Sequence, residues 1–166
     1  MTLDSEQVRQ LRKAIRLAKG RPEALAAVGR IYHDLQAEID RRKPLCAASG
    51  RCCRFEEFGH RLFITTIELA KFAHDREGGV LSDEVMESVG NWDGRGCPFQ
   101  VEGLCGVHLI RPFGCRIFFC DSTATDWQQE QYEHFHAQMK QLHQEMGVPY
   151  YYVEWRQGLR AIGVGS

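Results

Sequence analysis

Apolar residues recur at three- and four-residue intervals in three stretches of the chain, and each stretch predicts an amphipathic helix. Val8, Leu11, Ile15 and Ala18 share one face behind a candidate N-cap at Asp4 or Ser5. After a break at Gly20-Arg21-Pro22, the residues Leu25, Val28, Tyr32, Leu35 and Ile39 form a second stripe that Pro44 ends. Residues 1–43 therefore read as a helical hairpin whose stripes pack on the rest of the chain. The third and longest pattern is Tyr132, Phe135, Met139, Leu142 and Met146, with Asp126 and Gln129 as a capping pair and Gly147-Val148-Pro149 as the stop.

Between these helices the pattern changes. Arg61-Leu62-Phe63-Ile64 reads as a short strand leading into Thr65-Thr66-Ile67-Glu68, where Thr65 and Glu68 have capping-box spacing and a helix should begin. A short helix is expected from near Ser82 to near Gly90, and Asn91 to Gly96 reads as a turn. Residues 97–121 show no clean period, so ligands rather than regular structure should fix their shape. The aromatic run Tyr150 to Trp155 is expected as a strand or a wrapping tail that joins the core. His134, His136 and His143 are expected on the solvated face of the last long helix. The architecture expected is mainly α: a single helical domain with irregular cysteine-rich loops over 44–121, a C-terminal helix and aromatic tail over 122–166, and little or no sheet.

The 166 residues suffice for one domain with a real core and no need of disulfides. A formal net charge of -1 gives no basic excess with which to meet nucleic acid or an anionic membrane, so neither is expected as a partner, while a protein partner remains open. The N-terminus Met1-Thr2-Leu3-Asp4-Ser5-Glu6 lacks the basic start and apolar run of a signal peptide, and no stretch approaches the ~20 apolar residues of a membrane span. A cytoplasmic location is the expectation. Thiols stay reduced there, so the seven cysteines read as metal ligands or redox groups before they read as disulfides.

Those cysteines fall in two groups: Cys46, Cys52 and Cys53 in Cys-Ala-Ala-Ser-Gly-Arg-Cys-Cys, and Cys97, Cys105, Cys115 and Cys120 in the aperiodic segment. Core-filling thiols have no reason to cluster in this way. Thiolates are soft ligands suited to zinc and to iron–sulfur iron, and glycine-flanked loops let several converge on one point. Cys52, Cys97, Cys105, Cys115 and Cys120 are the first candidates, Cys46 and Cys53 the next, and His108 adds a donor three residues after Cys105. Arg51, Arg54, Arg111 and Arg116 stand beside the cysteines, where they could offset thiolate charge. In an extended segment Cys52 and Cys53 would point to opposite faces and not serve one tetrahedral ion together.

The stretch from Cys46 to Cys120 resembles the YkgJ-like, or CxxCxxCC, cysteine-cluster family, described as zinc- or iron-chelating. The resemblance rests on the Cys52-Cys53 pair with Arg54, on Phe63-Ile64-Thr65 before a helix with Glu68, and on Cys97-Pro98-Phe99. It continues through Cys105-Gly106-Val107-His108 and Arg111-Pro112 to Cys115-Arg116-Ile117-Phe118-Phe119-Cys120. Ser49 departs from the pattern, standing where the family motif has its middle cysteine. The resemblance implies metal or cluster binding, with zinc or iron as the cofactor, and no defined reaction, although a related cysteine motif occurs in flagellin lysine methylases.

Two functions follow as expectations. The first is a metal-binding protein whose zinc, iron or iron–sulfur centre organises the cysteine-rich half. The alternative is a metal- or cluster-dependent enzyme, for example a protein-modifying methyltransferase-like activity, whose centre keeps an open coordination position. No glycine-rich strand-to-helix turn for a nucleotide-like methyl donor is found, and no Cys-x-x-Cys of a thiol–disulfide oxidoreductase occurs.

Overall fold

A computed structural model describes residues 3–165; Met1 and Thr2, the first residues of the N-terminal stretch read above, and Ser166 lie outside the described residues. The two N-terminal helices are α1 (Ser5–Lys19) and α2 (Pro22–Arg42). Asp4 closes a capping box on α1: its carboxylate accepts the Gln7 N–H at 2.8 Å, and Gln7 Oε1 accepts the Asp4 N–H at 2.9 Å. Pro22 sits in the first turn of α2, where its missing N–H leaves no bond unmade.

A four-residue turn of helix, α3 (Phe55–Phe58), precedes β1 (Phe63–Thr65) and α4 (Thr66–Glu77). The expected capping box at Thr65 and Glu68 is formed. Glu68 does more than cap, because its buried carboxylate accepts from four donors: Thr65 N–H at 3.1 Å, Thr65 Oγ1 at 2.8 Å, the Tyr32 hydroxyl at 3.1 Å and Phe113 N–H at 2.9 Å. Burial raises its pKa, and the hydrogen bonds oppose that shift. One carboxylate thereby ties α2, α4 and the cysteine-rich segment together.

Next come α5 (Asp83–Gly90), capped by Ser82 as expected, and then two elements that periodicity did not show. β2 (Gln100–Val101) and β3 (Leu104–Cys105) form a hairpin in which Gln100 faces Cys105. Its two-residue loop, Glu102 and Gly103, has positive φ at both positions, as a hairpin of the I′ type requires. A short helix α6 (Phe113–Ile117) follows.

The long C-terminal helix α7 (Thr125–Met146) begins one residue before the expected cap; Asp126 lies inside its first turn, and Asp121 instead caps the 3₁₀ turn that leads into it. Gly147, at φ +58°, ends α7 in the left-handed conformation. The aromatic run then splits. Tyr152–Glu154 is β4, antiparallel to β1 with Ile64 opposite Val153, while Trp155 starts a further helix, α8 (Trp155–Ala161).

α1 lies along α4, and α2 bridges α4 and α7. Their buried faces meet in one hydrophobic cluster that includes Leu11, Val28, Leu35, Ile67, Met139 and Trp155. Each such fully buried large side chain contributes about 1.5–3 kcal/mol. His143 is part of this interior, at 2% exposure, and not of the solvated face expected for it. Four residues after Met139 it lies on the apolar stripe, and both ring nitrogens are used: Nδ1 lies 3.1 Å from the Val148 carbonyl and Nε2 accepts the Ile67 N–H at 3.4 Å. The fold is thus mainly α, with two small two-stranded sheets among the described residues. Among the described residues no helix is long and apolar enough to cross a membrane.

Candidate metal centre

The first cysteine motif does not run extended. Gly50 takes φ +66° and turns the chain into a 3₁₀ turn over Arg51–Cys53. A Cβ at Gly50 would lie 2.3 Å from both Gln100 Nε2 and the Gly103 carbonyl oxygen, so this position has space for hydrogen alone. The close approach is used: Gln100 Nε2 donates to the Gly50 carbonyl at 3.0 Å and to the Gly103 carbonyl at 3.2 Å, fastening the first motif to the β2–β3 hairpin. Nearby, the Cys97 N–H donates to the Cys53 carbonyl at 2.9 Å.

The expectation that Cys52 and Cys53 face apart assumes an extended segment, and this turn removes that premise. Cys105, Cys52 and Cys97 all lie close enough to Cys53 to shift its ionisation. Each of these thiols shifts the ionisation of its neighbours, so the group titrates as a unit. The proton stays with buried Cys53, whose pKa is driven far up, first by Cys105. Its neighbours ionise more easily: Cys52 is lowered to about 6 and Cys105 to about 7, each chiefly by Cys53 and further by the Arg111 guanidinium. Cys97 is also lowered, first by Cys53 and in addition by the Trp155 indole, whose Nε1 donates to Cys97 Sγ at 3.5 Å. Cys115 lies in the electrostatic field of the same thiols, but burial and their charge raise its pKa.

Cys46, Cys120 and His108 stand at the edge. With Ser49, Cys52, Cys53 and Cys105 they line a pocket of about 140 Å³. Cys46 and Cys120 are exposed, and Ser49 Oγ lies 3.9 Å from Cys120 Sγ. Their strands of chain are joined one residue away, where the Leu45 N–H donates to Asp121 Oδ2 at 3.0 Å. All eight expected donors thus come to one region: Cys52, Cys53, Cys97 and Cys105 as an inner group with Cys115 beside it, and Cys46, Cys120 and His108 as an outer rim. Among the described residues, no three His, Cys, Asp or Glu side chains stand in an arrangement that could hold a metal ion as they are.

The four arginines divide by role. Arg111 alone among them lowers both Cys52 and Cys105, and its Nε is, among the described residues, the one buried side-chain nitrogen or oxygen without a hydrogen-bond partner. Arg116 is held by the carbonyls of Arg111 at 2.8 Å and Leu109 at 2.9 Å, with its guanidinium 4.3 Å from the centre of the Tyr32 ring. Arg51 and Arg54 both lie over the Phe58 ring.

Three residues around the thiols were not foreseen. Trp155 reaches Cys97 from α8, and the indole N–H of a buried tryptophan normally needs an acceptor. Gln100 pins Gly50. His60 Nε2 lies 3.3 Å from the Cys52 carbonyl, with its ring stacked on Phe118 at 4.9 Å between centroids. For Gln100 and His60 the sequence carries no local signal, because the contacts span 50 and 8 residues through loops.

The chain matches no family model, no curated protein and no solved structure.

Proposed function

We propose that the protein binds a thiophilic metal, zinc or iron, the latter as an ion or an iron–sulfur cluster, through its clustered cysteines. One observation carries the proposal: Cys52 and Cys53 from the first motif and Cys105 from the hairpin line one pocket with Cys46, Cys120 and His108, and Cys97 lies close enough to shift the ionisation of Cys53. The chemistry of the donor set fits. Cys52, Cys97 and Cys105 are all biased toward the thiolate, the form that binds metal, and Arg111 offers an unpartnered cationic donor beside them. Since no three donors are disposed to hold an ion as they stand, uptake draws the thiols inward and displaces the Cys53 proton.

In this reading Cys52, Cys53, Cys97 and Cys105 hold the metal, and Cys115, Cys46, Cys120 and His108 complete or extend the shell. Bound there, zinc would act as a structural tie or Lewis acid and an iron centre as an electron carrier. Arg111 offsets the negative charge of the thiolates, and Trp155 orients Cys97. The proposal places the protein in a reducing compartment such as the cytoplasm, and it includes membership of the YkgJ-like family that the cysteine motifs resemble.

Metal and acid-labile sulfide analysis of protein purified without oxygen tests it. Iron with matching sulfide identifies a cluster, iron without sulfide an iron-ion centre, and zinc without sulfide a single-ion site. Protein that stays metal-free after anaerobic incubation with zinc and with iron and sulfide contradicts the proposal.

A further inference from the structure

A second cavity lies away from the thiols. It is a groove of about 470 Å³ between β1, α6, α7 and β4, within the span of roughly 300–1,000 Å³ common to small-molecule sites. Aromatic rings make its walls: Phe63 and Tyr152 from the sheet, Phe118 and Phe119 from the end of the last cysteine motif, and Tyr132 from α7. Phe63 and Tyr152 stack at 5.2 Å between centroids with planes only 24° apart, and Phe63, Phe118 and Tyr152 are each 37% exposed, so ring surface remains in contact with water. The polar atoms are ordered in advance. The hydroxyls of Tyr132 and Tyr152 bond to each other, and Gln128 Oε1 accepts the Phe119 N–H at 2.6 Å.

The charge is one-sided. No acidic side chain lines the groove, and Arg61 is its one charged residue; among the described residues Arg61 has no ion-pair or hydrogen-bond partner. A flat aromatic body can lie against the exposed faces and edges of these rings, and an anion on that body meets the unpaired guanidinium, which suits a planar carboxylate.

We propose that this groove binds a small planar aromatic anion, stacked against Phe63, Tyr152 and Phe118, with its anionic group on Arg61. The proposal stands on the groove and needs no metal. It also places the ligand beside the thiols, because Phe118 and Phe119 line both this groove and the cysteine pocket, and Phe118 stacks on His60 next to Cys52.

The test is titration of the reduced, ¹⁵N-labelled full chain with 2-naphthoate, followed by amide chemical shifts. Saturable shifts confined to residues 61–63, 117–119, 125–132 and 152 are expected, with affinity at least about tenfold weaker in Arg61→Gln, as loss of one charge-assisted pair implies. Neutral 2-naphthamide should bind the wild type and Arg61→Gln alike. Arg61 is exposed, so its replacement leaves the fold intact. Shifts scattered over the surface, absence of saturation up to the solubility of the probe, or equal affinity for a naphthyl trimethylammonium cation would each overturn the proposal. Metal content is unaffected by any of these outcomes, which separates failure here from failure of the metal centre.

Discussion

Trp155 Nε1 donates to Cys97 Sγ at 3.5 Å, joining the buried ring at the start of α8 to the candidate metal centre. The indole also packs edge-on to Phe72, at 5.0 Å between centroids, so core and centre share one side chain. In Trp155→Phe most of the ring packing survives but the donor is lost. We expect a stability loss of about 1–3 kcal/mol in urea unfolding. We also expect the thiolate absorbance of the cluster to titrate at higher pH, because Cys97 loses a bond that favours its ionised form. An unchanged thiolate titration would show that the contact does not tune the sulfur.

Glu68→Gln should be among the most destabilising substitutions that preserve shape. Four donors meet the carboxylate, and an amide turns half of that acceptor surface into a donor, leaving N–H or O–H groups of Tyr32, Thr65 or Phe113 facing another donor. A loss of about 2–4 kcal/mol is expected. Chemical denaturation measures it, and a loss within experimental error would contradict the four-donor arrangement.

The Thr65–Glu68 box shows how far the sequence can be read. Its capping spacing is local, so the start of α4 could be found from four residues, yet the bonds from Tyr32 and Phe113 that make Glu68 a hub cross 36 and 45 residues and leave no local trace. The same limit applied at the thiols. Clustering identified the cysteines, but the relation of Cys52 to Cys53 depended on a turn set by Gly50 and closed by Gln100. At His143 the signal is present: i+4 from Met139 and next to Leu142 is an apolar-face position, and position there outweighs the polarity of the residue. The short helices α6 and α8 span barely two turns or less, too little for a period to show.

His143 also gives the fold a pH dependence. Burial lowers its pKa in the folded protein below the unfolded value of about 6.5. As pH falls, the unfolded chain takes up the proton first, so the stability contribution is complete above about pH 6.5 and is lost as pH drops toward the folded pKa. Between about pH 7 and about pH 5 the denaturation midpoint should fall, with a slope of at most about 1.4 kcal/mol per pH unit from this group. His143→Gln should flatten that slope; a slope identical to wild type would assign it elsewhere.

Gly50→Ala tests how the first motif is held. The added Cβ meets Gln100 Nε2 and the Gly103 carbonyl at 2.3 Å, on a backbone at φ +66°. A loss of about 1–3 kcal/mol is expected from the strained backbone alone. Metal affinity should fall with it, since Cys52 and Cys53 would shift away from Cys97 and Cys105. Gly59→Ala has a similar φ of +64° and nothing within 4 Å of its Cβ, so it provides the control that carries backbone strain without the clash.

The most direct test of the metal centre is an anaerobic cobalt(II) titration of the reduced protein, read by the sulfur-to-cobalt charge-transfer band in the near ultraviolet. The band should saturate at a whole-number ratio of metal to protein and should weaken sharply in Cys53→Ser, the residue that joins the inner thiols, while Cys46→Ser, at the exposed rim, should retain most of it. A band that never forms, or one that Cys53→Ser leaves intact, would contradict a metal held by the inner cysteines.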